Sequence, residues 1–301
     1  MESLDISRES VYRRIRGDIS FTIEELAKLS VDLGFSIDEL IIKDMHSRVF
    51  FDLHATSNQS PSQIFEIMIH RYFQCAFDVP YGKNVETIKI LNYIPLEFII
   101  FFDHLFKFYY YRWMHQYQES SLKYCYSDVA MPEKLIYMQQ RAIETGRKIQ
   151  TNTIILDPSV FLNPIREIQY YYKRKLIDEN ELSLIKDNLL GLVDLMENIA
   201  QTGSFASEAK YNLYLSSLNI ESSSLYINCD DQAKSQFFVN SMEPIVVTNS
   251  NLCVIHKKWL DSMRKYATLI TQSNEILQVR YFTKQRSYIA SIAEASNGYS
   301  L

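Results

Sequence analysis

Four arginines, Arg8, Arg13, Arg14 and Arg16, stand within nine positions of a chain of 301 residues. Ser7, Glu9 and Tyr12 are interleaved with them. A guanidinium fork matches the edge of a guanine or a phosphate oxygen pair, and small polar groups at a helix start meet other base edges or the backbone. The chemistry that this spacing permits is therefore recognition of double-stranded DNA by a short helix lying in the major groove. Arg8 and Glu9 fall in its first turn and Tyr12 and Arg13 in its second, where side chains reach bases. Arg14, Arg16 and the helix N-terminus are placed for phosphates. The alternative is an arginine-rich helix whose charges are merely solvated.

Such residues need a helix to hold them, and the flanking sequence supplies its punctuation. Ser7 can cap the exposed N–H groups of a first turn, and Ile6 and Val11 occupy the two positions of a hydrophobic staple. Val11 and Ile15, one turn apart, are expected to face a small core, with Glu9, Arg13 and Arg16 outward. Phe21, Thr22 and Leu26 repeat the arrangement with Glu25 completing a capping box, and Phe35, Ser36 and Leu40 repeat it with Glu39. Gly17 and Gly34 can each take the positive φ that ends a helix. Three short helices are expected, at Ser7–Arg16, Thr22–Leu33 and Ser36–Ile42.

The run SRESVYRRIRGDISFTIEELAKLSVDLGFSIDEL resembles the last three helices of a lambda-repressor-like helix-turn-helix module. It is most similar to the module of BetR-type transcription regulators of Bacteroidetes bacteria. The stretch Asn92–Trp113, with Asn92-Tyr93-Ile94-Pro95 and later Lys107-Phe108, also resembles that family. So does the run from Trp259 through Ser262, Ile270, Arg280, Phe282 and Gln285-Arg286. The resemblance implies a recognition helix at Ser7–Arg16 braced by the next two helices. Only Glu2-Ser3-Leu4-Asp5 separates Met1 from Ile6, so the module is expected as an N-terminally truncated remnant. The surfaces of Val11, Ile15, Leu26 and Leu29 would then need cover from elsewhere. A sequence-specific, one-component regulator is the function implied, acting as a homodimer on double-stranded DNA and answering a small-molecule or protein effector. The alternative is a ligand- or protein-binding regulator that has lost DNA binding with the missing helices.

Composition bounds the rest. Hydrophobic residues make up 47% and aromatics 13%, which implies an ordered chain, and only 7 Gly and 7 Pro imply long elements. A net charge of −5 argues against polyanion binding by the bulk of the protein. Cys75, Cys125, Cys229 and Cys253 form no paired ligand motif, and His46, His54, His70, His104, His115 and His256 have no metal-ligand spacing. No phosphate loop, dinucleotide fingerprint or Gly-flanked nucleophile occurs, so no catalytic residue, cofactor or metal is expected, and the chain is not expected to be an enzyme. No signal peptide stands out, and Ile94–Phe106 is interrupted by Glu97, Asp103 and His104, too short and charged to span a bilayer. A cytoplasmic protein without membrane contact is expected.

The spacing predicts helices at 61–77, 95–117, 132–146, 159–175, 179–202, 251–270 and 274–292. Strands are predicted at 85–94, 153–156, 211–218, 224–228, 236–240 and 245–248. The expected fold is mainly α with a smaller α+β C-terminal part: a partial DNA-binding module at 1–44, a helical regulatory or dimerisation domain at 45–203, and an α+β domain at 204–295. The aromatic block Phe98–Trp113 suits a buried helix better than a pocket lining. Lys257, Lys258, Arg264, Lys265, Arg280, Lys284 and Arg286 suit the wet faces of the last two helices.

Overall fold

The structure, a computed structural model, describes residues 4, 6–33, 37, 59–77, 84–117, 124–146, 149–205, 209–230, 232–239 and 243–292. The chain divides into two compact units, Met1–Asp52 and Leu53–Leu301.

In the first unit, α1 (Arg8–Ile15) and α2 (Ile23–Leu33) form where the caps predict. The Ser7 hydroxyl accepts from the Ser10 amide at 3.3 Å. The Thr22–Glu25 box closes both ways: the Thr22 amide donates to Glu25 at 3.0 Å and the Glu25 amide to Thr22 Oγ1 at 3.2 Å. Gly17 takes φ +82°, the left-handed turn that stops α1. Apart from Ile37, the third predicted helix and Gly34 lie outside the described residues.

Among the described residues, the second unit is built on one mixed sheet of seven strands, in the order β6-β5-β4-β1-β2-β3-β7. The strands are β1 (Val85–Leu91), β2 (Thr151–Leu156), β3 (Lys210–Ser216), β4 (Ser224–Cys229), β5 (Gln232–Val239), β6 (Glu243–Val247) and β7 (Ala267–Leu269). β1, β2 and β3 run parallel, and every other pairing is antiparallel. Among the described residues, helices α3 (Pro61–Phe77), α4 (Leu96–Ile99), α5 (Asp103–Tyr117), α6 (Glu133–Gly146), α7 (Leu162–Lys173), α8 (Glu179–Thr202), α9 (Ser250–Arg264) and α10 (Glu275–Ala290) pack around the sheet.

Alternation along the strands sorts these helices between the two faces. Ile88, Ile90, Ile155 and Tyr226 pack with Cys253 and Leu260, so α9 covers that side. Leu91, Ile154, Leu156, Leu213 and Leu215 join the much larger core made with residues of α3 to α8 and α10. Phe98, Phe106, Phe108 and Tyr111 are buried there, as the core reading of the aromatic block requires.

The expected fold class is overturned. The sheet is a principal layer, not a minor C-terminal feature, and it joins β1 and β2 to the strands that follow residue 203. Period-2 patterning locates a strand but does not name its partner, so the pattern that marks strands at 85 and 153 does not show that they centre the sheet. No lambda-repressor-like remnant is evident either: two helices are described, and Ile15, assigned to a small core, is 70% exposed. The reason is that Arg14 pairs with Glu25 and turns that side of α1 toward α2. Smaller differences are that the 95–117 helix breaks into α4 and α5, and that β7 lies inside the predicted 251–270 helix. No helix among the described residues is long and apolar enough to cross a membrane.

Candidate functional site

The sequence-predicted site residues all lie on α1 or at its caps. Ser7, Arg8, Glu9, Tyr12, Arg13 and Arg16 are exposed. Arg8 leans on Tyr12, its guanidinium 5.7 Å from the ring centroid and donating to the hydroxyl at 3.4 Å. Arg16 pairs with Asp18 at 3.1 Å, both well exposed, a contact that water weakens. Arg14 is withdrawn: its fork donates to both Glu25 oxygens, at 2.9 and 2.7 Å, and also to the Ser10 carbonyl at 3.3 Å. The Arg14 guanidinium, and then the Thr22 amide, hold the Glu25 carboxyl below the usual carboxylate range. The side chain assigned to phosphates therefore braces the two helices instead.

The second unit holds a feature that residue spacing did not reveal. β1 neighbours β2 on one side and β4 on the other, while the chain leaves its carboxyl end for α4 and returns to β4 only after β3. Strand ends at which connections diverge in this way leave a crevice between the loops. A cavity of about 510 Å³ lies there. Asn92, Tyr93 and Ile94, which follow β1, line it together with Glu221, Ser222 and Ser223 of the β3–β4 loop. Tyr109 and Arg112 of α5 and Asn163, Pro164, Arg166 and Glu167 of α7 also line it, with Tyr72, Leu96, Ile99 and Phe238. Its size falls within the range usual for small-molecule sites.

Asn92 fastens the rim. Its amide nitrogen donates to the carbonyls of Ile220 and Glu221, each at 3.2 Å, and its oxygen accepts from the Ser223 hydroxyl at 2.7 Å. Its backbone N–H donates to the same Ser223 oxygen at 2.9 Å. Asp157, after β2, accepts from the Ile220 amide at 3.2 Å and from Ser159. Two strand ends thus hold one loop.

Charges around the cavity are largely internally matched. Arg112 donates to Glu167 at 2.7 Å and lies 4.6 Å from the Tyr109 ring centroid. Nearby, buried Lys89 pairs with Glu97, whose other oxygen accepts from the Tyr72 hydroxyl at 2.9 Å. Burial first, and then the Glu97 charge, push the phenols of Tyr72 and Tyr93 well above their ordinary range, so both stay neutral. Burial pushes Tyr109 up to about 12. Among the described residues, the buried Tyr93 hydroxyl has no partner at hydrogen-bonding geometry. A second groove of about 380 Å³ shares Arg166 and Glu167 and is lined further by His115, Gln116, Tyr170 and Tyr171. Among the described residues, no three His, Cys, Asp or Glu side chains gather as metal ligands.

The arrangement is suited to holding a small molecule: an aromatic and aliphatic interior, a polar rim, and ionic groups from three elements. In the sequence, Asn92-Tyr93-Ile94-Pro95 stands out only as part of a resemblance. The sequence predicts a strand through 85–94, so Asn92, Tyr93 and Ile94 carry no sign of a loop; the strand ends at Leu91 and frees them to line the cavity. Comparison with protein-family models, with curated proteins and with solved structures finds no match to this chain.

Proposed function

We propose that this chain is a ligand-responsive regulator: residues 53–301 bind a small molecule in the cavity at the carboxyl end of β1, and the exposed arginines of α1 contact double-stranded DNA. The cavity carries the first half. It lies where the β-sheet connections diverge, is lined by seven elements or loops, and has a rim fixed by Asn92. Arg8, Arg13 and Arg16 support the second half, since their guanidinium groups remain accessible on a capped helix while Arg14 does the bracing. A homodimer would set two such helices on successive turns of a duplex. A cytoplasmic location follows from that reading.

One observation favours a second reading, that of a protein-binding regulator without DNA contact. Ile15, Ile23, Val31 and Leu33 are all at least 70% exposed, apolar surface that a partner would cover. A titration of the full chain separates the two. Fluorescence anisotropy with a labelled duplex from the promoter of its own gene, at several salt concentrations, should show binding. Arg13→Ala should flatten sequence preference, whereas Arg16→Ala should weaken binding to all duplexes and lower the salt slope by about one. Equal and negligible binding by wild type and both variants, with capture of a partner protein abolished by Ile23→Asp, supports the second reading. For the cavity, ligand-observed NMR with a fragment mixture should give binders that Asn163→Trp, placed at the mouth, removes.

A further inference from the structure

Taking the cavity as the ligand site proposed above, we infer that its ligand is a small zwitterion with an aromatic part, of the kind represented by an aromatic amino acid or a short peptide ending in one. Charge bookkeeping around the lining leads there. Four ionic side chains border the space: Arg112, Arg166, Glu167 and Glu221. Arg112 and Glu167 satisfy each other at 2.7 Å. Arg166, on α7, and Glu221, in the β3–β4 loop, are exposed and have no ion-pair partner among the described residues. One guanidinium and one carboxylate thus remain, brought to the same cavity by different parts of the chain.

A singly charged ligand would meet one of these groups and leave the other facing it with like charge. A neutral ligand would displace water from both and replace neither interaction. A molecule carrying its own carboxylate and ammonium answers both at once, the carboxylate on Arg166 and the ammonium on Glu221. The interior supplies the aromatic requirement. Phe238 stands 5.9 Å from Tyr93 at 90° and 5.6 Å from Tyr72 at 32°, beside Ile94, Leu96 and Ile99. Such rings accept another aromatic ring in edge or offset contact. The neutral phenols nearby add no charge that would disturb the match.

The experiment is calorimetric titration of the full chain with four probes: L-phenylalanine, L-alanyl-L-phenylalanine, 3-phenylpropionate and 2-phenylethylamine. The dipeptide allows for a wider spacing between the two charges. At least one zwitterion should bind about fivefold or more tightly than both singly charged probes, the factor that ~1 kcal/mol per solvent-accessible ionic contact gives. Arg166→Gln should remove the zwitterion's advantage over the amine, weakening the zwitterion and, with the like charge gone, leaving the amine bound as tightly or more tightly. Glu221→Gln should do the converse with the propionate. Both residues are exposed, so neither change threatens the fold. If a singly charged probe binds as tightly as the zwitterions, and Asn163→Trp abolishes its binding, the zwitterion assignment is overturned while the cavity stands as a ligand site. If no probe and no fragment binds at millimolar concentration, the ligand site falls, and the assignment with it.

Discussion

Replacing Asn92 by Ala should release the rim of the cavity, and the cost can be worked from its bonds. Three side-chain hydrogen bonds disappear, to the Ile220 and Glu221 carbonyls and from the Ser223 hydroxyl. The bond to Glu221 is exposed, and water replaces most of it. The other two are worth roughly 1 kcal/mol each. Ser223 is only 5% exposed, so its stranded hydroxyl adds about another 1 kcal/mol. A loss of roughly 2–3 kcal/mol is expected. Both tryptophans, Trp113 and Trp259, belong to the second unit, so the urea transition followed by tryptophan fluorescence reports on that unit alone. Ser223→Ala should be costly too, but the double variant should fall short of the sum by about 1 kcal/mol, because one bond is counted twice. Asn92→Asp sharpens the test. It keeps the acceptor for Ser223 but sets a carboxylate oxygen against two carbonyl oxygens, so it should be less stable than Asn92→Ala at neutral pH and regain ground in acid, where the protonated group can donate again. Additivity of the two alanine changes, or an aspartate variant as stable as wild type at pH 7, would refute the claim that Asn92 ties the strand end to the loop.

Two further outcomes concern parts that hold the site in place. His256 is buried between α9 and the sheet, its ring nitrogens 2.8 Å from Ser235 Oγ and 2.9 Å from Ser224 Oγ, and burial pushes its pKa down to about 4. The unfolded chain, at about 6.5, binds the proton first, so stability is fully present above pH 6.5 and declines as pH falls toward 4, by on the order of 3 kcal/mol. Urea midpoints from pH 7.5 to 4.5 should show this decline, and His256→Gln should flatten it; an unchanged slope in the variant would assign the effect to other groups. In the first unit, Arg14→Ala should lower amide-exchange protection across α1 and α2, while Arg13→Ala should leave it unchanged, since among the described residues Arg14, and not Arg13, pairs across the two helices. Equal protection in both variants would contradict that division of roles.

Local chemistry was legible in the sequence and long-range pairing was not, and the candidate site belongs to the second category. Ser7, Thr22, Glu25 and Gly17 act within a few residues, so their types alone placed α1 and α2 and the turn after α1. Strands at 85–94 and 153–156 also declared themselves, by β-branched residues in a short run, and the structure sets them at 85–91 and 151–156. What their residues could not declare was that β4, rather than another segment, would lie beside β1. β7 was missed because a three-residue edge strand following directly on α9 leaves too little pattern to interrupt a helical reading. The cavity depends on this order. Asn92 and Glu221 are 129 positions apart, and they meet only because β4 takes the place next to β1 opposite β2. Had β4 paired with β3, the loop carrying Glu221 would be a hairpin at the far side of the sheet, and Asn92 would have had no carbonyls to bind. The rim asparagine and the sheet order therefore imply one another: a change that loosens Asn92 should loosen the β1–β4 pairing first, leaving β1–β2 intact. Amide exchange in Asn92→Ala can read that difference strand by strand. Protection lost equally from β2 and β4 would show that the sheet, and not this contact, sets the shape of the site.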